Sequence, residues 1–447
     1  MPTALVVGAG LAGLSCAFEL SDRGVDVNLI EARDVVGGRT SSWNERGMPV
    51  ESGLHRWLGF YKHLPDLLGR CGVSIDEMLC WEDEIEIITP DGGPRGVIGL
   101  APLFKPGATI GGLVGNNDLI RPKDKVALGL FFARGLFEYA THPENLDRIT
   151  TRDYALKHGV SEHAIENLLV PLTAGIYFLH PDRYSAFGFF GLLAPGVPRL
   201  HRMRIGGFMG GMTDVMCRPM ADAIQANGGI VRTGVEATGV IVEEGRVHGV
   251  VSGDDEIRAD ETVIAVSLAP AQSLIRDMLP EIAEAAWFDE MLAMPSMPVA
   301  TIQFELDRPV TDVDRTTFGP GTVLGSFCEQ SRTTFRHADG RLSVILVPPE
   351  PFLEMRDDEV LARTIADAAR LGFDLEAHMT DYRVVRFPMD FYSLEPGNNL
   401  RRPSQPTPVP GLTLAGDYTR QKYLGSMEGA AVSGQLAAEA VLESLAP

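Results

Sequence analysis

The chain has 447 residues, enough for two or three domains or for one large α/β body carrying an insertion. Its 39 basic and 60 acidic residues give a net charge of −21, which excludes a nucleic-acid partner and offers no bulk attraction to an anionic membrane. A hydrophobic fraction of 45% excludes disorder as the default, and five scattered cysteines without a CxxC pair exclude a metal or thiol redox centre.

No charged n-region or apolar h-region precedes the first strand, Ala4-Leu5-Val6-Val7, so no secretory signal is read and a cytoplasmic location is expected. No uninterrupted apolar run approaches the roughly 18 residues that a bilayer span needs. Gly8-Ala9-Gly10-Leu11-Ala12-Gly13 follows the strand and opens a helix from Leu11 to about Arg23. At this spacing Gly8 makes the strand-to-helix turn, Gly10 lets the backbone approach a pyrophosphate, and Gly13 lets the helix sit close to the sheet. The phosphate charge then rests on the helix N-terminus. The next strand, Val25 to Ile30, ends at Glu31, 18 residues past Gly13, where a carboxylate accepts both ribose hydroxyls.

Ala32 and Arg33 lead to a second loop, Gly37-Gly38-Arg39-Thr40, which gives another backbone approach and places a cation near a diphosphate. A plain nicotinamide unit has no need of it, so the two loops together point to FAD. Gly53-Leu54-His55 then marks a bend near a ligand, ahead of an amphipathic helix from Leu64 to Arg70.

From about 80 to 205 the character changes. A polar hairpin turns at Pro90-Asp91-Gly92-Gly93-Pro94, and apolar segments follow at 97–104 and 110–114. A helix from Lys125 to about Tyr139 carries apolar residues almost all round, and Ala186 to Pro195 has the same flavour. Such stretches are either core or the lining of a lipid-facing mouth. From about 206 the α/β rhythm returns: a helix from Asp214 to Ala226, a strand at Ile230-Val231-Arg232 with Val235 beyond it, and a hairpin tipped by Glu243 to Arg246. A buried strand at 259–266 feeds a helix at Ala269. Residues 290–395 form a second block with strands near 299–306, 342–347 and 382–387 and a helix at 357–371. The last segment, Leu412 to Asp417 and a helix opening at Ser426-Met427-Glu428, is again an anion-ready strand, Gly416-Asp417 and helix N-terminus. Here Asp417 is placed to reach a ribityl or phosphate-linked hydroxyl, and the amides near Met427 to stabilise charge on a reduced isoalloxazine.

With these residues the chain resembles the amine-oxidase and carotenoid-desaturase superfamily of flavoproteins, most of all the plant and cyanobacterial type of phytoene and ζ-carotene desaturases. The likeness rests on the two glycine loops with Glu31, on Gly53-Leu54-His55, and most heavily on Ala415 to Ala430 followed by Ser433-Gly434. Glu51 stands where that family commonly has Asp, and the match is weak over 97–200 and 310–395.

The resemblance implies a two-domain α/β oxidoreductase with a discontinuous Rossmann-like FAD domain (1–88, 206–285 and 396–447). A mixed α+β substrate domain (89–205 and 286–395) would carry the apolar helices. It implies non-covalent FAD, a hydrophobic isoprenoid substrate in a channel, a quinone or similar electron acceptor, and shallow attachment to the inner face of the cell membrane. The cofactor set is then Gly8, Gly10, Leu11, Ala12, Gly13, Glu31, Ala32, Arg33, Gly37, Gly38, Arg39, Thr40, Gly53, Leu54, His55, Val235, Gly416, Asp417, Ser426, Met427 and Glu428, with His55 and Glu428 as catalytic candidates and no metal.

The expected reaction is desaturation, with hydride passing from an allylic carbon to flavin N5. The same fold also admits an amine oxidase, a redox-neutral terpenoid isomerase or hydroxysqualene dehydroxylase, and a non-catalytic flavin-bound lipid carrier. Lysine is absent between 158 and 421, so the strand 299–306 lacks the lysine that amine oxidases typically place at N5.

Overall fold

Strands apolar on both faces need cover on both sides, and the first strand of the chain, Ala4-Leu5-Val6-Val7, is of that kind. The computed structural model describes residues 2–100, 107, 115–311 and 314–446. In it, β1 (Thr3–Val7), β2 (Asp26–Glu31), β3 (Ile230–Thr233), β4 (Glu261–Ile264) and β5 (Leu412–Leu414) form one parallel sheet in the order β3-β2-β1-β4-β5. Three stretches far apart in sequence thus share one sheet, with the carboxyl ends of β1 and β2 side by side and that of β5 one strand further along, beyond β4.

Two helices cover the centre of that sheet, α1 (Leu11–Ser21) and α2 (Met427–Ser444). They approach closely because α2 presents small residues: a Cβ on Gly434 would come within 2.2 Å of the Ala12 carbonyl oxygen. The Ser15 hydroxyl donates to the Ala431 carbonyl at 2.7 Å across the same contact. Head and tail of the polypeptide are therefore one packed unit.

A second sheet has seven strands, in the order 379–392, 296–306, 340–346, 324–329, 317–318, 84–88 and 95–99. It is antiparallel except where 317–318 runs parallel to 86–87. The hairpin at 84–99 forms as expected, but it corrects one boundary: 84–88, read with the first unit, pairs with this second sheet. It joins this sheet by pairing in parallel with 317–318, and carries 95–99 with it as the edge strand across the turn at 89–94. The helix expected from Lys125 spans Pro122–Thr141, and that expected from Asp214 begins with a π-turn at Thr213–Cys217. The apolar residues 101–104 and 110–114 lie outside the described residues.

Polar side chains fasten the second sheet to the first unit. Gln303 and Glu51 exchange two backbone-to-amide hydrogen bonds, 3.1 and 2.7 Å. Arg341, fully buried, donates to the Pro49 carbonyl at 2.5 Å and to Gln303 at 3.0 Å. These bonds fix the height of residues 51–55 against the strand 296–306.

Candidate active site

The loop after β1 does what its three glycines require. Gly8 has φ +104°, and a Cβ on Gly13 would come within 1.8 Å of the Gly8 carbonyl oxygen. A Cβ on Gly10, by contrast, would meet no atom of the described residues within 4 Å. Gly13 is thus small for packing, and Gly10 is small beneath open space. Leu11 and Ala12 form the buried first turn of α1.

Glu31 ends β2 beside this loop. Its carboxylate accepts from the Ala9 amide at 2.8 Å and from the Arg33 amide at 3.0 Å, which fixes both oxygens at the loop's edge. The Val235 amide donates to the Glu31 carbonyl at 2.9 Å, so Val235 flanks the same edge, while Ala32 points to solvent.

The second glycine loop lies directly against the first. The Gly37 amide donates to the Ala9 carbonyl at 2.8 Å, and a Cβ on Gly38 would stand 3.2 Å from Gly10 Cα. Thr40 closes this turn by donating to the Gly37 carbonyl at 2.9 Å. Arg33, expected near the cofactor, braces the loop instead: it donates to Ser41 Oγ at 3.0 Å and lies 4.7 Å from the Trp43 ring.

Arg39 is where head and tail meet. Its guanidinium pairs with Asp417 Oδ1 at 2.5 Å and rests 5.3 Å from the Phe391 ring. Asp417 follows Gly416, whose φ is +149° and whose amide donates to Ser433 Oγ at 2.9 Å on α2. His55 faces the same guanidinium; burial first, and Arg39 second, depress its pKa to about 4, so the imidazole is neutral at physiological pH. His55 Nδ1 lies 3.2 Å from the Gly53 carbonyl, and Thr301 comes against Gly53 from the second sheet. Leu54 packs on Cys328 and Ile345 in a small apolar cluster with Phe178 and Val347.

At the start of α2, Ser426 caps the helix by accepting from the Gly429 amide at 3.1 Å, and the Tyr61 hydroxyl lies against Ser426 and the Met427 amide. Glu428 departs from the catalytic role expected of it. Its two oxygens accept from the backbone amides of Lys62, His63 and Leu64 at 2.7, 2.7 and 2.9 Å. It therefore caps the helix His63–Arg70 and joins it to α2. A carboxylate committed to three amides holds two helices together.

Sequence reading missed the aromatic wall beyond Arg39. Tyr177 and Phe391 stand 6.1 Å apart, Tyr177 stacks on Tyr184 at 5.6 Å, and Gly425 is backed by Tyr177 and Phe391. Tyrosines in an apolar segment read as core; only their buried hydroxyls distinguish them. That of Tyr418, like that of Thr301, has no hydrogen-bond partner among the described residues. Open space over Gly10 and unpartnered buried hydroxyls beyond Arg39 fit a long ligand with a phosphate-bearing end and a polar-edged ring.

A cluster of Glu82, Asp314 and Cys328 has metal-ligand spacing, within 4.8 Å, but Arg56 lies in its midst. The Arg56 guanidinium contacts Cys328 and pairs with Glu82 at 3.5 Å and Asp314 at 3.9 Å, so it fills the place of a cation.

Glu51 supplies a pH test. Burial raises its pKa to about 7, against the opposing Met212 amide and the charges of Arg341 and Arg56. A raised folded pKa means stability that is present below the unfolded value near 4.5 and lost as pH rises through about 7. The native protein is expected to lose Tm as pH rises from 5 to 8, and Glu51→Gln to flatten that fall; an unchanged slope would refute the assignment.

Among known proteins, the chain is 27% identical to the 15-cis-phytoene desaturase of Synechococcus elongatus over 98% of this chain and 95% of that protein. It is 28% identical to the zeta-carotene desaturase of Synechocystis over 99% and 97%. The tomato (Solanum lycopersicum) 15-cis-phytoene desaturase, chloroplastic/chromoplastic, is also 28% identical, over 98% and 77%. The fold is shared with a putrescine oxidase solved with putrescine bound (TM-score 0.76, 18% identity, 99% and 100% coverage) and with an oxidoreductase from Methanosarcina mazei (TM-score 0.74, 19%, 99% and 100%). Residues 11–442 match the family described as flavin containing amine oxidoreductase, and the chain belongs to that family.

Proposed function

We propose that this protein is an FAD-dependent desaturase of a long isoprenoid hydrocarbon of the carotenoid type. The observation that carries the reading is the meeting of the two N-terminal glycine loops with Asp417 and α2 at Arg39. The relatives, named for phytoene and zeta-carotene, supply the substrate class.

In this reading FAD runs from Glu31 and Val235, over Gly10, Gly37 and Gly38, to Gly53, His55 and Met427. The unit 1–88, 206–285 and 396–447, less the arm 84–88, holds it, and 89–205 with 286–395 holds the substrate. Bound FAD supplies a hydride acceptor. The protein's part is burial and alignment: a polyene offers nothing to hydrogen-bond, so Leu54, Phe178, Tyr177 and Phe391 must hold it by contact area, at about 25 cal/mol per Å2. Holding one C–H bond at a fixed place supplies the rate. A purified preparation with FAD, in vesicles containing a quinone, should convert phytoene or ζ-carotene to a product lighter by two hydrogens. A colourless protein, or unchanged polyene, would refute the reading.

A membrane-dissolved substrate calls for a membrane-facing mouth, and the helix Pro122–Thr141 fits that role. One stripe, Leu128, Phe131 and Gly135, is buried, with the Phe190 ring lying over Gly135. The opposite stripe is apolar and exposed: Val126 at 68%, Leu130 at 56% and Phe137 at 67%. Arg121, Lys123 and Arg134 border it, and the turn after Ala186–Leu193 adds exposed Val197 and Leu200 beside Arg202. Phe189 and Phe190 themselves are core. Among the described residues no helix is long and apolar enough to cross a membrane. The proposed placement is therefore shallow, on the inner leaflet, where a quinone is also at hand. The triple change Val126→Ser, Leu130→Ser, Phe137→Ser should reduce sedimentation with anionic vesicles at least tenfold and leave Tm nearly unchanged; undiminished binding would refute the placement.

A further inference from the structure

Desaturation removes a hydride from one carbon and a proton from its neighbour, and the groups described so far leave the proton without a taker. Glu428 is committed to three amides, Asp417 is held by Arg39, and His55 is a weak base at about 4. A fourth group faces the same guanidinium from the second sheet: Asp390.

The backbone places it there. The strand Met379–Tyr392 pairs with Ser296–Leu306, and its register jumps from Val299 opposite Phe387 to Met297 opposite Phe391. Two residues on one strand thus span four on the other, so 388–390 bulge out of the ladder, starting at Pro388, which has no amide to donate. A bulge re-aims its side chains. Met389 is turned out to 63% exposure, and the next residue, Asp390, is half-buried, lies within electrostatic reach of Arg39 and Asp417, and directly precedes Phe391, whose ring stands 5.3 Å from the Arg39 guanidinium.

We propose that Asp390 is the base that takes the substrate proton, resting on the desaturase reading above. As the hydride leaves for oxidised flavin, the Asp390 carboxylate accepts the proton from the adjacent carbon. The electron pair of that C–H bond becomes the second bond of the new alkene. Bound FAD would supply the two-electron acceptor for the hydride as the substrate is oxidised, and the proton would pass from Asp390 to water at the exposed rim beside Met389.

Its charge environment suits the task. Burial, with the Asp417 carboxylate adding and Arg39 opposing, raises Asp390 to about 6, which keeps it ionised at neutral pH yet a better proton acceptor than an ordinary carboxylate. The charged groups that face it are Arg39 from the second glycine loop and Asp417 from the C-terminal loop.

The test is anaerobic rapid mixing of the flavin-loaded protein with phytoene or ζ-carotene in vesicles from pH 5 to 8. The native rate of flavin reduction should rise through about pH 6. Asp390→Asn should lower the rate about 100-fold and remove that limb, with flavin content unchanged, and Asp390→Glu should restore part of both. Infrared difference spectra of the loaded protein should show a carboxyl titrating over the same range and missing in Asp390→Asn. A variant with the native rate and the native limb would overturn the proposal, as would a rate loss that merely follows flavin loss. Native flavin that no isoprenoid reduces is a separate result: it would overturn the desaturase reading and this proposal with it.

Discussion

Gly10→Val should abolish flavin binding in a protein that still folds, whereas Gly13→Val should lose both flavin and stability. The two glycines belong to one loop but differ in surroundings. The Gly10 backbone has φ −73°, open to any residue, and a Cβ there would meet none of the described residues within 4 Å. A valine there strains nothing in the free protein and stands where a pyrophosphate must come. Losing two helix N-terminal hydrogen bonds to phosphate, at about 1.5–3 kcal/mol each, lowers affinity by roughly 10² to 10⁴. At Gly13 the added atoms collide with the Gly8 carbonyl, a backbone atom that cannot step aside, and overpacking of that kind costs about 1–3 kcal/mol or more. Flavin titration and thermal melts of the two variants separate the effects. Equal destabilisation, or native flavin affinity in Gly10→Val, would mean that the loop is only a packed βαβ turn.

Glu428→Ala is expected to cost about 3 kcal/mol or more. It leaves three backbone amides at the start of His63–Arg70 without their acceptor, and each buried unsatisfied donor costs about 1–3 kcal/mol. The change also unties that helix from α2, so flavin retention should fall with the melting temperature. Glu428→Gln keeps one acceptor oxygen and should show a smaller loss in both. The contrary outcome is a Gln variant with native stability and flavin content but no turnover, the signature of a proton-transferring group.

The contrast between these residues shows how far the chain's chemistry could be read before its fold was known. The glycine loops, Glu31 and Gly416-Asp417 were legible because each imposes a local backbone demand that only particular residues meet. The parallel strands β1, β4 and β5 were legible because both of their faces are buried. The role of Glu428 was not: its partners are backbone amides more than 360 residues away, which carry no residue-type signal. Asp390 was hidden for a different reason, since it gains its direction from a bulge, a mismatch between two strands that neither strand displays alone. The helix at 122–141 read as apolar all round, and only packing revealed which stripe Phe190 covers and which stays bare. The arm at 84–88 changed sheets because it pairs with 317–318, a strand far away in sequence that leaves no mark on the arm itself.

The most direct test of the account is anaerobic titration of the yellow protein with phytoene or ζ-carotene in vesicles, followed by absorbance. The account predicts stoichiometric bleaching of the oxidised flavin, one flavin per double bond formed, and recovery of colour on adding a quinone. Flavin that stays oxidised with every polyene, while an amine bleaches it, would contradict it.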